Sequence, residues 1–190
     1  MNKNYFLYLF KKRKIAIFFF LAVYVGMAFA PFMFTNLQDG SVLRDCFLSS
    51  VAISSAMSTI LCFGLPILLF HFVHQKRTVD IYFSLPVKRS EQLITTLLFI
   101  FAIAFGYFII GVSLAYFLSM PAKINFTIYL YILAFGALML LVFILVNSLC
   151  FLDANNLFDG IVMIAAYNFI AVAILIFMQT FNYNLIAGSV

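Results

Sequence analysis

Apolar positions in this chain do not alternate with polar ones; they run together. Five stretches contain no Asp, Glu, Lys or Arg: Ile15 to Phe34, Phe47 to Phe72, Leu93 to Leu118, Phe126 to Leu152 and Gly160 to Met178. A helix crossing a hydrocarbon core of about 30 Å needs about twenty apolar residues. The pattern therefore predicts an all-α, polytopic membrane protein with about five transmembrane helices. The middle three runs exceed the required length and are expected to tilt or to project past the bilayer. A transmembrane β-barrel would need strands of about ten residues that alternate polar and apolar positions. The segment "LLFIFAIAFGYFII", 97–110, does not alternate.

Composition reinforces this reading. Of 190 residues, 66% are hydrophobic and 9% are charged. A soluble domain carries about 25% charged residues, and this chain has too little polar surface to cover a water-exposed globule. Its mean hydropathy is +1.16. The first apolar run has a basic flank and the small-x-small sequence Ala28-Phe29-Ala30, like a secretory signal. The run is longer than a signal's apolar region, and Pro31 follows the would-be cut, so it is read as a retained helix. Cys46, Cys62 and Cys150 show no metal-ligand or redox spacing and are read as small apolar fillers.

The charges orient the chain. Segment 1–14, "MNKNYFLYLFKKRK", holds five basic residues, and the loop 74–92 holds four. The connections on the other side hold only Arg44 and Lys123, a nine-to-two split. Short cytoplasmic loops are enriched in Lys and Arg, so the N-terminus and the loop 74–92 are expected in the cytoplasm. The basic residues sit at membrane borders with no separate domain to present them. The net charge of +5 thus reflects topology and attraction to anionic lipid, not nucleic-acid binding. Segment 1–14 mixes aromatic and basic residues. Two readings stand for it: an elbow lying along the inner leaflet, or a charge cluster that orients the first span.

Within the spans, Ser50, Ser54 and Ser58 recur every four residues beside Ser55 and Thr59. That spacing lines one helical face. The face is either a close helix–helix contact or a polar lining for a substrate path. Pro66 is expected to kink the second span near its cytoplasmic end. Ala102 and Gly106 in the third run, and Ala134, Gly136 and Ala137 in the fourth, are further packing candidates. Apart from His71 near a helix end, the runs hold none of the acids or bases that ion-coupled transporters keep as intramembrane relays. His71 and His74, one turn apart near a helix end, are read as interfacial residues, since no third ligand accompanies them. The sequon at Asn125 hugs the membrane and is discounted. No catalytic, cofactor or metal residues are assigned.

The loop is the most polar long segment, "HQKRTVDIYFSLPVKRSEQ", His74 to Gln92, with six of the seventeen charged residues. It resembles the first cytoplasmic loop of bacterial ATP-binding-cassette (ABC) permeases of the exporter-like class, in particular the large permeases of low-GC Gram-positive bacteria. The residues that carry the likeness are Lys76, Arg77, Asp80, Tyr82, Ser84, Leu85, Pro86 and Arg89. The likeness is strong in the loop and loose across the N-terminal segment and first four spans. It implies that these residues dock a cytosolic ATPase subunit, that a second permease copy or homologue pairs with this one, and that ATP hydrolysis belongs to the partner. It also implies a bacterial cell membrane. The residues agree with a docking element: Pro86 can open a helix but not continue one, and Ser84 is a suitable cap. Family members have at least six spans, and this chain shows five, so a fragment of a longer permease is one expectation.

The leading expectation is thus a permease subunit coupled to a separate ATPase. The alternative is a non-transporting immunity, sensory or assembly protein whose loop binds another partner. An intramembrane enzyme is disfavoured by the missing chemistry. The topology is open to a direct test. In a background without native cysteines, single cysteines at Gly40 and Ala122 should react with an impermeant thiol reagent from outside, and one at Gln75 should not. External labelling of the Gln75 position would overturn the orientation.

Overall fold

A computed structural model of the protein describes residues 3–33, 40–74 and 88–187. Among the described residues five long helices follow one another: α1 (Lys3–Met33), α2 (Gly40–Phe70), α3 (Arg89–Leu118), α4 (Phe126–Asp153) and α5 (Leu157–Ala187). A short 3₁₀ turn, His71–His74, extends α2, and another, Met120–Ala122, follows α3. No strand occurs among the described residues. The first four helices are each long and apolar enough to cross a membrane, and α5 is apolar over Leu157–Ile170. The chain is a multi-pass α-helical membrane protein. Its outer surface fits that solvent: Ile15, Phe19, Phe135, Leu138, Phe158 and Phe169 all stand exposed.

The helices overrun the apolar segments that predict them. A helix stops where its backbone ladder is interrupted, not where apolar side chains run out. Thus α2 starts at Gly40 and carries the exposed Arg44 and Asp45 before its apolar core begins. Likewise, α1 is continuous through residue 14. Lys and Arg are good helix formers, so the basic cluster prolongs the first span with no break in the helix where an elbow would turn. At its other end, α3 is closed by Ser119, whose hydroxyl donates to the Ala115 carbonyl at 2.8 Å. Lys123 then adopts a left-handed conformation, φ 52°, to turn the chain toward α4.

The central element is α2, which touches every other long helix, while α5 packs chiefly on α4. Lipid tails are as apolar as leucine, so membrane helices gain little by hiding apolar surface from lipid. They associate through close packing and interhelical hydrogen bonds. One face of α2 provides this with Cys46, Ser50, Ser54, Ser58, Cys62 and Pro66, all buried at four-residue intervals. Such a row is the natural ridge for helix packing, and here it is built of small side chains. Facing it, α3 buries Ala104, Gly111 and Ala115.

The apolar core falls into two clusters. One surrounds Phe32, Leu43, Phe47 and Ala115. The larger one gathers Cys62, Phe99, Ile100, Phe108, Leu140, Ile144, Phe151 and Ile164. The serine row lies between them along α2.

The glycines separate close contact from open space. A Cβ on Gly111 would lie 2.7 Å from Ser54 Oγ and 2.8 Å from a ring carbon of Tyr24. A Cβ on Gly136 would overlap the Phe108 ring. Gly136 thus fulfils its expected packing role. Gly106 does not: a Cβ there meets nothing within 4 Å, and Ala102 is exposed. Both line an open groove between α1 and α3. The contact on α3 belongs to Gly111, one to two turns further along. Accordingly, Gly111→Ala should destabilise the protein by about 1–3 kcal/mol through overpacking, whereas Gly106→Ala should be neutral or slightly stabilising. Reversible unfolding in mixed detergent micelles measures both, and equal effects would contradict the packing described.

Candidate functional site: a polar seam and the base of the charged loop

Three of the five helices meet at Tyr24. This residue is buried on α1, and its hydroxyl lies 2.8 Å from the Ser54 carbonyl and 2.9 Å from Ser58 Oγ on α2. A phenol has one proton. The carbonyl can only accept, so Tyr24 donates there and the Ser58 hydroxyl donates to the Tyr24 oxygen. The Tyr24 ring packs on Tyr107 of α3, with centroids 5.7 Å apart. Tyr107 in turn donates its hydroxyl to the Ile17 carbonyl on α1. These contacts hold α1, α2 and α3 together where Gly111 lets the backbones approach.

A second polar group lies further along α2 and follows from Pro66. Proline has no N–H, so the carbonyl four residues earlier loses its intrahelical partner. That residue is Cys62. Its carbonyl accepts a hydrogen bond from Asn147 Nδ2 of α4 at 3.1 Å, and Asn147 is fully buried. The side-chain oxygen of Asn147 accepts from Asn168 Nδ2 of α5 at 2.7 Å. Asn168 also donates to the Ile164 carbonyl in its own helix. A chain of amides therefore joins α2, α4 and α5. In lipid every backbone polar group must be satisfied internally, and the asparagine does what water would do in a soluble protein.

Among the described residues, the buried serine hydroxyls of Ser50, Ser54 and Ser148 have no hydrogen-bond partner. Ser54 Oγ points into the α2–α3 contact at Gly111. Ser50, Ser54 and Ser58 are all fully buried, so in this conformation they serve the helix contact and none is open to a path. The three cysteines are buried, and Cys46 Sγ donates to the Pro31 carbonyl at 3.6 Å.

The base of the charged loop lies at the other end of α2. His74 closes the 3₁₀ turn, and its Nε2 is 3.0 Å from the Phe151 carbonyl near the end of α4. A carbonyl only accepts, so Nε2 carries the proton. The imidazole also packs edge-on against the Phe151 ring, with centroids 4.8 Å apart. On the return side, Lys88 occupies the N-cap of α3 in an extended conformation, and Glu91 lies in the first turn. A carboxylate there is favoured by the positive end of the helix. Of the docking residues expected from sequence, Arg89 opens α3 and is exposed. Lys76, Arg77, Asp80, Tyr82, Ser84, Leu85 and Pro86 lie outside the described residues.

The serine row and the Pro66 disturbance are legible in the sequence, but their partners are not. Tyr24, Gly111, Asn147 and Asn168 are the missed residues. A signal for Asn147 exists: a proline inside a span frees a carbonyl, and a side-chain amide in another span is a ready donor.

Comparison with protein-family models, with curated proteins and with solved structures gave no match to this chain.

The amide chain makes a specific prediction. Asn147→Leu leaves the Cys62 carbonyl without its donor in hydrocarbon and should cost about 2–3 kcal/mol. In a Pro66→Ala background the new backbone N–H can serve the Cys62 carbonyl, so the cost should fall by about half or more. A double-mutant cycle measures this coupling. The same cost in both backgrounds would show that Asn147 does not act through the proline.

Proposed function

We propose that the chain is the membrane subunit of an ABC transporter, with the segment His74–Gln92 as the surface on which a separate cytosolic ATPase docks. The observation that carries the reading is the sequence of this segment. It places basic pairs, an Asp and Ser-Leu-Pro between two apolar spans that lack charge. The anchoring at its base is compatible with mechanical coupling. His74 is bonded to the end of α4 and continues α2, and the return strand of the loop opens α3. A displacement of the loop thus acts on three helices. Those helices carry the serine row, Gly111 and Asn147. In the proposed cycle, ATP-driven movement separates them and hydrates the hydroxyls that are buried without partners in this conformation. Ser50, Ser54 and Ser148 would then face a transient polar path. The ATPase supplies the nucleotide chemistry; this chain transmits motion. The charged residues of the loop set orientation and specificity, and Tyr82 and Leu85 supply the apolar anchor that such contacts need.

Co-purification with a candidate cytosolic ABC ATPase tests this reading. Tyr82→Ala and Leu85→Ala should each weaken the complex by ~2 kcal/mol while the protein still inserts, and Lys88→Ala by under ~1 kcal/mol. If replacing residues 79–85 with Gly and Ser leaves ATPase binding unchanged, the loop is only a connector. The alternative role, binding a different cytosolic partner, then stands in its place.

A further inference from the structure

The half of α1 that carries the basic cluster is only partly seated on the bundle. Between α1, α2 and α3 lies a narrow cleft, open along one side. Its walls are apolar and include Ala16 and Phe20 of α1, Leu61 and Leu65 of α2, and Ile103 of α3. One charged residue lines it, Arg13. The Arg13 guanidinium donates one hydrogen bond to the Leu68 carbonyl at 3.2 Å, in the last turn of α2. A guanidinium has five N–H donors in a planar fork that matches phosphate. The contact with Leu68 uses one and holds the group at the end of the cleft.

The depth of this group in the membrane follows from helix geometry. The charge-free part of α1 runs from Ile15 to Met33, and Arg13 stands just before it, twenty residues from Met33. At 1.5 Å per residue this is about 30 Å, the thickness of the hydrocarbon core. Arg13 therefore stands at the headgroup level of its leaflet, and the cleft runs from it toward the bilayer centre. An apolar slot that opens to lipid and ends in a cation at phosphate depth is complementary to one class of molecule.

We propose that this cleft binds an anionic phospholipid, with its phosphate on Arg13 and one acyl chain along Phe20, Leu65 and Ile103. Lys14, exposed on the next position, adds positive potential without lining the slot. Basic pockets between transmembrane helices on the cytoplasmic side are a recurrent means of holding anionic headgroups. The proposal does not rest on the ATPase reading. A neighbouring groove between α1 and α3, lined by Phe6, Phe10, Leu21 and Gly106 among others, has no charged residue in its wall. It gives no reason to select a headgroup.

The chain contains no tryptophan, so an introduced one reports alone. The full-length protein with Leu65→Trp or, separately, Phe20→Trp is reconstituted in phosphatidylcholine vesicles. A small fraction of either phosphatidylglycerol or phosphatidylcholine carries brominated acyl chains. Leu145→Trp, on the exposed face of α4, serves as the reference. Quenching at the cleft should show an apparent preference for the anionic lipid of about fivefold, the effect of one well-placed cationic side chain. The reference position should show little preference. Arg13→Gln should abolish the difference at the cleft, and Lys14→Gln should leave most of it. Equal quenching by the two lipids at Leu65→Trp and Phe20→Trp would overturn the proposal. So would a preference that survives Arg13→Gln, or one that millimolar inorganic phosphate removes, since the site would then take a free anion and not a lipid.

Discussion

The carbonyl of Cys62 is freed by Pro66 in a place where no water can reach it. An unsatisfied backbone group in hydrocarbon costs several kcal/mol, so the structure must bring a donor to it. Asn147 is that donor. Its own oxygen then requires a partner, and Asn168 supplies one. The arrangement of α2, α4 and α5 follows from this one constraint. It explains why α5, which has limited contact with the remaining helices, is nevertheless tied to the bundle at a defined depth. The amide chain also sets the register of α4 against α2, because the donor must reach one particular carbonyl.

A different rule governs the junction of α1, α2 and α3. No backbone group is missing there, and the helices approach because small side chains allow it. Gly111 leaves room for Ser54 and the Tyr24 ring. The contact includes hydroxyls that satisfy one another at Tyr24 and Ser58, and others at Ser50 and Ser54 that find no partner. A contact of this kind is cohesive but not fully satisfied. Such a junction is better suited to separating and closing than the amide chain, where the freed carbonyl and both ends of the Asn147 amide are bonded.

At the end of the bundle that carries the basic cluster, two side chains perform one task. The last carbonyls of a helix lack intrahelical donors and carry its negative partial charge. Arg13 answers this need at the end of α2, and His74 answers it at the end of α4. Each contact also joins two elements distant in sequence. The loop that follows His74 is therefore built on a base held by α4 as well as α2. The contact of Arg13 has a second consequence: it places a cation at the end of an apolar cleft.

The membrane character, the count of long helices and the serine row were readable in the linear chain. Each rests on spacing within one segment: twenty apolar residues for a span, four-residue steps for a helical face. The proline effect was also local, since the freed carbonyl is always four residues back. What could not be read was which side chain answers it. Asn147 is 85 positions from Cys62 and Tyr24 is 30 from Ser54, and nothing in either segment names the other. The small residues show the same limit. Gly106 and Gly111 look alike in sequence, yet one lines open space and the other is pressed against Ser54 and Tyr24. Only the direction in which α1 and α2 cross α3 separates them, because helix packing is decided by faces that meet in space. Periodicity along one helix defines a face but not its neighbour.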